Sequence, residues 1–195
     1  MNDPRDSIEL IFSTSNANKF SEAEEFLKKA TLPVKLINHR HSRVEIQAET
    51  LEEVALYSLE NDPALRNRYS TFVEDAGLFI DILDGFPGPY SAHALKKLHC
   101  QGILKLMAGV EDRSARFESA IAFRDVAGNV HLFKGVTSGT MAFEERGTHW
   151  GFDPIFIPAG DSRTYAELGE DKEKFNHRIK SISKLVAFLK ERYSI

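Results

Sequence analysis

The chain has 195 residues, 42% hydrophobic and 28% charged, with a formal net charge of −4. That size and balance suit a single domain over 1–195 with room for two lobes, and argue against a broad nucleic-acid-binding face while permitting a local basic pocket for phosphate. One cysteine, Cys100, excludes an intrachain disulfide. The chain has no apolar run near the roughly 18 residues of a membrane span, and Met1–Asp6 has no signal-peptide core, so the expectation is a cytoplasmic protein with no membrane partner.

Ile8–Ser13 reads as a first strand and runs into Thr14-Ser15-Asn16-Ala17-Asn18-Lys19. An amphipathic helix follows, with Phe20, Ala23, Phe26 and Leu27 on one face. A strand–loop–helix junction of this kind gathers backbone N–H groups and the positive helix end at one spot, where anions bind. Lys19 adds a cation in the first turn. The ordinary alternative is a polar helix cap with a solvated lysine. A short strand near Val34–Ile37 comes next. Thr50 and Glu53 then form a capping box for a helix over about residues 51–61. Glu45, in the loop before that helix, is either a metal ligand or a surface charge.

Ser70–Val73 is a β-branched and aromatic run that ends at the adjacent carboxylates Glu74 and Asp75. Ala76-Gly77 then leads to a second apolar run, Leu78–Leu83, so the stretch reads as a hairpin closed by a turn over Asp84–Ser91. Carboxylates placed there can hold a divalent metal or a water, or can be a solvated turn. Ile103–Met107 reads as a short helix. Ala115–Phe123 and Val130–Val136 read as antiparallel strands joined at Ala127-Gly128-Asn129, with a third strand over Ser138–Phe143. In Trp150-Gly151-Phe152-Asp153, two aromatics flank a glycine and precede an acid. They make either a stacking slot for a nucleobase or a glycine turn plugged by core aromatics. The strand Ile155–Ile157 follows. Asn176 is a natural N-cap for a final helix with Ile179, Ile182, Leu185, Val186 and Leu189 on one face. His177 and Arg178 then fall in its first turn, where a cation gains nothing from the helix dipole, so they either make a functional contact or are exposed surface residues. Strands alternating with helices, then an antiparallel block, predict an α/β fold with a mixed sheet.

Four blocks in order resemble the inosine triphosphate pyrophosphatase, or Ham1-like, family, most closely its archaeal branch. They are Thr14–Lys19, Glu45-Ile46-Gln47, Glu74–Leu78 with Gly85–Ser91, and Trp150–Phe156 with Lys172 and His177-Arg178. The resemblance spans roughly Ile8 to Leu189. It implies an elongated two-lobed fold with a central nucleotide groove, a homodimer, and Mg²⁺-dependent hydrolysis of ITP, dITP and XTP to monophosphate and pyrophosphate. It places the substrate against Thr14, Ser15, Asn16, Ala17, Asn18, Lys19 and Ala76 at the phosphate end. Trp150, Gly151, Phe152, Asp153, Lys172, His177 and Arg178 form the base end. It places Mg²⁺ near Glu45 and Asp75 with Glu74 in support, and makes Asp75 the base for the attacking water.

The chemistry suits these residue types. Mg²⁺ keeps several waters and needs one or two carboxylates plus phosphate oxygens. Anhydride cleavage relies on positioning and charge stabilisation. Donors facing the 6-position of the base would accept the oxo group of inosine or xanthine and leave adenine unpaired, a discrimination that reaches on the order of 10⁴-fold. Three departures stand out. Ala76 replaces the family's serine, the helix after Glu45 carries no lysine, and His149 replaces a glycine. The first two leave open a nucleotide binder without catalysis. A separate alternative within enzymes is a related pyrophosphatase for modified pyrimidine or methylated nucleotides.

Overall fold

The structure, a computed structural model, describes residues 8–30, 32–40, 46–63 and 69–193. Six strands form one mixed sheet in the order β2-β1-β3-β4-β5-β6. They are β1 (Ile8–Ser13), β2 (Val34–His39), β3 (Ser70–Ile80), β4 (Ser114–Arg124), β5 (Val130–Met141) and β6 (Phe156–Pro158). β1 runs parallel to β2 and β3, and the β3–β4, β4–β5 and β5–β6 pairs are antiparallel. The helices are α1 (Ala17–Lys29), α2 (Leu51–Glu60), α3 (Ser91–Leu106) and α4 (His177–Tyr193). The predicted mixed α/β sheet is therefore present, and Thr50 and Glu53 form the expected reciprocal capping box on α2.

Three local expectations are corrected. Ser70–Ile80 is one strand, not a hairpin, and β4 pairs with it without a break from Thr71 to Ile80. The glycine that reads as a turn serves a close approach instead. A Cβ on Gly77 would lie 2.3 Å from the carbonyl oxygen of Gly88. The short helix at Ile103–Met107 is the end of α3, which begins at Ser91 and is interrupted at His99 (φ 55°). The proposed third strand at Ser138 is the continuation of β5 to Met141.

Successive residues of a strand point to opposite faces, and the two faces of β3 and β4 are covered by different helices. Val73 and Ala122 meet Ala55 and Leu59 of α2. On the other face, Phe72, Ile121 and Phe123 join Leu10 and Phe12 under α1 and α4, with Ile182, Leu185 and Leu189 packed down on them. Farther along that same face, Leu78, Ile80 and Phe117 form a second apolar cluster with Ile103 and Met107 around α3. Between the two clusters the face carries Glu74, Ala76 and Ser119.

The first turn of α4 can reach that polar strip because the sheet beneath it carries only small residues. Ala76, Ser119 and Gly135 are cross-strand partners. A Cβ on Gly135 would lie 2.1 Å from the carbonyl oxygen of His177 and 2.5 Å from the amide nitrogen of Ser181. Both obstacles are backbone, which cannot rotate aside. Gly135→Ala is therefore expected to destabilise the fold by about 1–3 kcal/mol or more, read as a lower midpoint in urea unfolding.

Candidate active site

β3 outruns β1. The two pair only through Leu10–Phe12 opposite Ser70–Phe72, whereas β4 flanks β3 to Ile80. The edge of β3 beyond Phe72 opens onto a cleft of about 510 Å³. Asp75, Ala76 and Gly77 form its floor, and Ser15, Asn16 and Lys19 of the β1–α1 junction lie at one side. Trp150, Gly151, Phe152 and Asp153 line it with Lys172, His177 and Arg178. Thus twelve of the site residues singled out from the sequence share one cavity, although they come from four separate stretches of chain.

The β1–α1 junction is built as a rigid cap. Asn16 is the N-cap of α1, and its Oδ1 accepts from the amides of Asn18 (3.0 Å) and Lys19 (3.2 Å). Its own amide donates to Thr14 Oγ1 at 3.1 Å. Thr14 is fully buried and shapes the loop from beneath, and neither it nor Ala17 or Asn18 lines the cleft. Glu45 lies outside the described residues, as does the polar N-terminal segment. Gln47 and Ile46, which follow Glu45, do line the cleft, and the apolar Val54 of α2 lines it too.

Glu74 does not line the cleft. Its carboxylate is wholly buried. Oε1 accepts from Ser119 Oγ (2.8 Å) and Arg178 Nε (3.2 Å), and Oε2 lies 2.8 Å from Lys19 Nζ. Burial alone would raise its pKa, but Arg178, Lys19 and the Ser119 hydroxyl outweigh it and hold the carboxyl well below the usual range. Lys19 Nζ also stands 4.0 Å from Asp75 Oδ1. From Arg178 the ion pairs continue. Its Nη1 donates to Glu22 Oε2, and Glu22 Oε1 lies 3.7 Å from Lys172 Nζ. Lys172 Nζ donates to Asp153 Oδ2 at 2.5 Å, and His149 Nδ1 meets the same oxygen. One chain of alternating charges therefore links Lys19 at the α1 end to Asp153 beside Trp150. Lys172 Nζ and Arg178 Cζ lie 5.4 and 5.5 Å from the centre of the Trp150 ring.

Comparison with known proteins places the chain in a family. The model of the Ham1 family matches residues 10–188. The chain belongs to the Ham1 family. It is 44% identical to a dITP/XTP pyrophosphatase of Korarchaeum cryptofilum, an alignment that covers 92% of this chain and 95% of that protein. It is also 44% identical to a dITP/XTP pyrophosphatase of Thermococcus kodakarensis, covering 94% and 98%. Among solved structures, the Staphylococcus aureus Ham1 protein superposes with a TM-score of 0.79 at 25% identity, covering 94% of this chain and 99% of that one. A HAM1 protein from Coxiella burnetii gives 0.76 at 26%, with coverage of 94% and 99%.

Within this Ham1 fold, two site residues escaped sequence reading. Glu22 sits one helical turn after Lys19, so both point to the same side of α1. That spacing is the signal that could have found it. Ser119 carries no such signal, because its position depends on the register of β4 against β3. His177 holds another feature that only packing explains. Its ring stacks on Phe117 at 4.7 Å between centroids, is buried, and lies parallel to Tyr165. Burial first, then the neighbouring Arg178, pushes its proton affinity well below that of a free histidine, so it is neutral in the folded protein.

The unfolded chain takes up that proton near pH 6.5. Below this pH the unfolded state binds more protons than the folded one, so this group's contribution to stability is complete above pH 6.5 and is lost as pH falls. The slope from His177 alone is at most about 1.4 kcal/mol per pH unit. Urea unfolding between pH 7.5 and 5 is expected to show stability falling with acidity, and His177→Asn is expected to flatten that slope.

Proposed function

We propose that the cleft hydrolyses deaminated purine nucleoside triphosphates, ITP, dITP and XTP, to the monophosphate and pyrophosphate. The observation that carries this reading is the single cavity with a cationic helix cap and an acid at one end, and an aromatic ring flanked by cations at the other. The relatives from Korarchaeum cryptofilum and Thermococcus kodakarensis, named as dITP/XTP pyrophosphatases over nearly their whole length, support it.

In this reading the triphosphate lies over the N-terminus of α1, where Lys19 and the first-turn amides meet its charge. The base stacks on Trp150. Arg178 and the polar groups around it donate to a 6-oxo base and leave the amino group of adenine without an acceptor. Asp75 takes the proton of the attacking water. Water attack opens the phosphoanhydride between the nucleoside monophosphate and pyrophosphate.

The donor set fits Mg²⁺ in a limited way. Among the described residues no cluster of three or more His, Cys, Asp or Glu could hold a metal by itself. Mg²⁺ does not need one, since it commonly binds through one or two carboxylates with substrate phosphates and waters. Asp75, with Glu45 beside it in the resemblance, would hold the ion. Glu74, committed to Lys19, Arg178 and Ser119, supports the site from below. When bound, the ion neutralises phosphate charge and lowers the pKa of a coordinated water.

The direct test is pyrophosphate release from ITP, XTP, dITP, GTP and ATP, with Mg²⁺ and with EDTA. Release from ITP, XTP and dITP that disappears in EDTA is the expected result. Tight ITP binding without release would make the protein a binder, the reading motivated by Ala76 and by the absence of a lysine from Leu56–Glu60 of α2. Asp75→Asn is expected to lower kcat by about 10²–10⁴-fold, the usual range for loss of a general base, with circular dichroism unchanged.

A further inference from the structure

The polar strip between the two apolar clusters contains one hydroxyl whose role the reaction does not explain. Ser119 lies on β4, fully buried, in direct register with Ala76. Its Oγ is 2.8 Å from Glu74 Oε1. A carboxylate can only accept, so the Ser119 proton is committed there, and Ser119 Oγ is left to accept from Ser181 Oγ at 2.8 Å. Ser181 is in the first turns of α4, and its one hydroxyl proton is shared between Ser119 Oγ and the Arg178 carbonyl oxygen, to which it donates at 2.9 Å. Ala76, directly opposite, has no hydroxyl to share this work.

We infer that Ser119 is a positioning residue that fixes the Glu74 carboxylate, and through it sets Lys19 and Arg178, so that the phosphate end and the base end of the cleft depend on one buried hydroxyl. The geometry supports this in three respects. Glu74 spends one oxygen on Ser119 and Arg178 and the other on Lys19, so a rotation of the carboxylate moves both cations together. Ser119 does not line the cleft, so any effect it has on ligands is transmitted through its two partners, the Glu74 carboxylate and Ser181. Its link to Ser181 also ties the carboxylate to the helix that bears Arg178. Hydrogen bonds to a charged group in a water-free interior are among the stronger ones, and geometry there is enforced rather than averaged.

This inference rests on the reading of the cleft as a nucleotide site with two ends. The test measures the two ends separately. Inosine monophosphate probes the base end and inorganic tripolyphosphate the phosphate end, each titrated by calorimetry in EDTA, so that no metal enters the readout. Ser119→Ala is expected to raise the Kd of both probes by about three- to tenfold, in line with loss of one hydrogen bond to a charged group. Ser119→Thr, which keeps the donor, is expected to restore both. Ser119→Cys keeps the volume but is a weak donor; it is expected to behave as the alanine variant and stands in for it if that variant does not fold. Unchanged affinity for both probes in the alanine and cysteine variants, with only a lower melting temperature, would make Ser119 a packing residue and overturn the inference. Weakening of one probe alone would overturn the coupling. A native protein that binds neither probe would instead remove the nucleotide reading on which the inference depends.

Discussion

A carboxylate with no route to water has to be neutralised where it sits, and Glu74 is that carboxylate here. It lies in the sheet between two apolar clusters, with Arg178 reaching it from α4 and Lys19 from α1. Leaving any one of the three without its partners would strand a charge in the interior, which costs about 3–5 kcal/mol for a buried pair. The three side chains therefore fix the relative placement of β3, α1 and α4. Two helices far apart in the chain are held to one strand by a single side chain, and both of their cations face the same cleft. The interaction that demands neutralisation is also the one that assembles the site.

The cleft itself follows from strand length. β1 is six residues long and β3 eleven, so β3 continues past the point where its parallel neighbour stops. The free edge cannot close on another strand, because the chain leaves β1 through the capped junction into α1. Asp75 and Ala76 are thereby exposed at an edge, beside the N-terminus of a helix. That is the usual location for anion recognition in sheets with parallel strands. At the far end the Gly88 carbonyl and the Ser91 hydroxyl come down on β3. Leu78 N donates to Ser91 Oγ at 2.8 Å, which limits the open stretch.

Charge alternation along Lys19, Glu74, Arg178, Glu22, Lys172 and Asp153 gives the cleft its particular character. Glu74 and Glu22 are each shared by two cations, and Arg178 and Lys172 each by two carboxylates. Low local dielectric strengthens such pairs and makes an unpaired member costly. The cations are thus held still before any ligand arrives, and a bound anion meets fixed charges rather than mobile ones. Preorganisation of this kind is where electrostatic stabilisation of a transition state gains its advantage over water. His149 adds a further hydrogen-bond partner on the Asp153 oxygen already held by Lys172.

Local signals in the sequence determined much of this protein. Apolar periodicity placed α1, α2 and α4 and the early strands. Asn16, Thr50 and Asn176 marked helix starts through hydrogen bonds that reach no farther than three residues. The four ordered blocks identified the family and most of the cleft. Tertiary structure decided the rest. Gly77 reads as a turn and Gly135 falls inside a predicted strand, yet each is demanded by backbone arriving from a distant segment. The pairing of all of β3 with β4 overrode the turn that Ala76-Gly77 seemed to announce. Glu74 and Asp75 are neighbours of identical charge, and the chain alone assigns both to the site. Alternation along the strand sends one into the interior, to Ser119, Arg178 and Lys19, and the other to the cleft. Helix caps and periodicity are fixed by contacts within a few residues, so sequence contains them. The partners of a buried carboxylate are fixed by strand register and helix docking, and those exist only once the chain has folded.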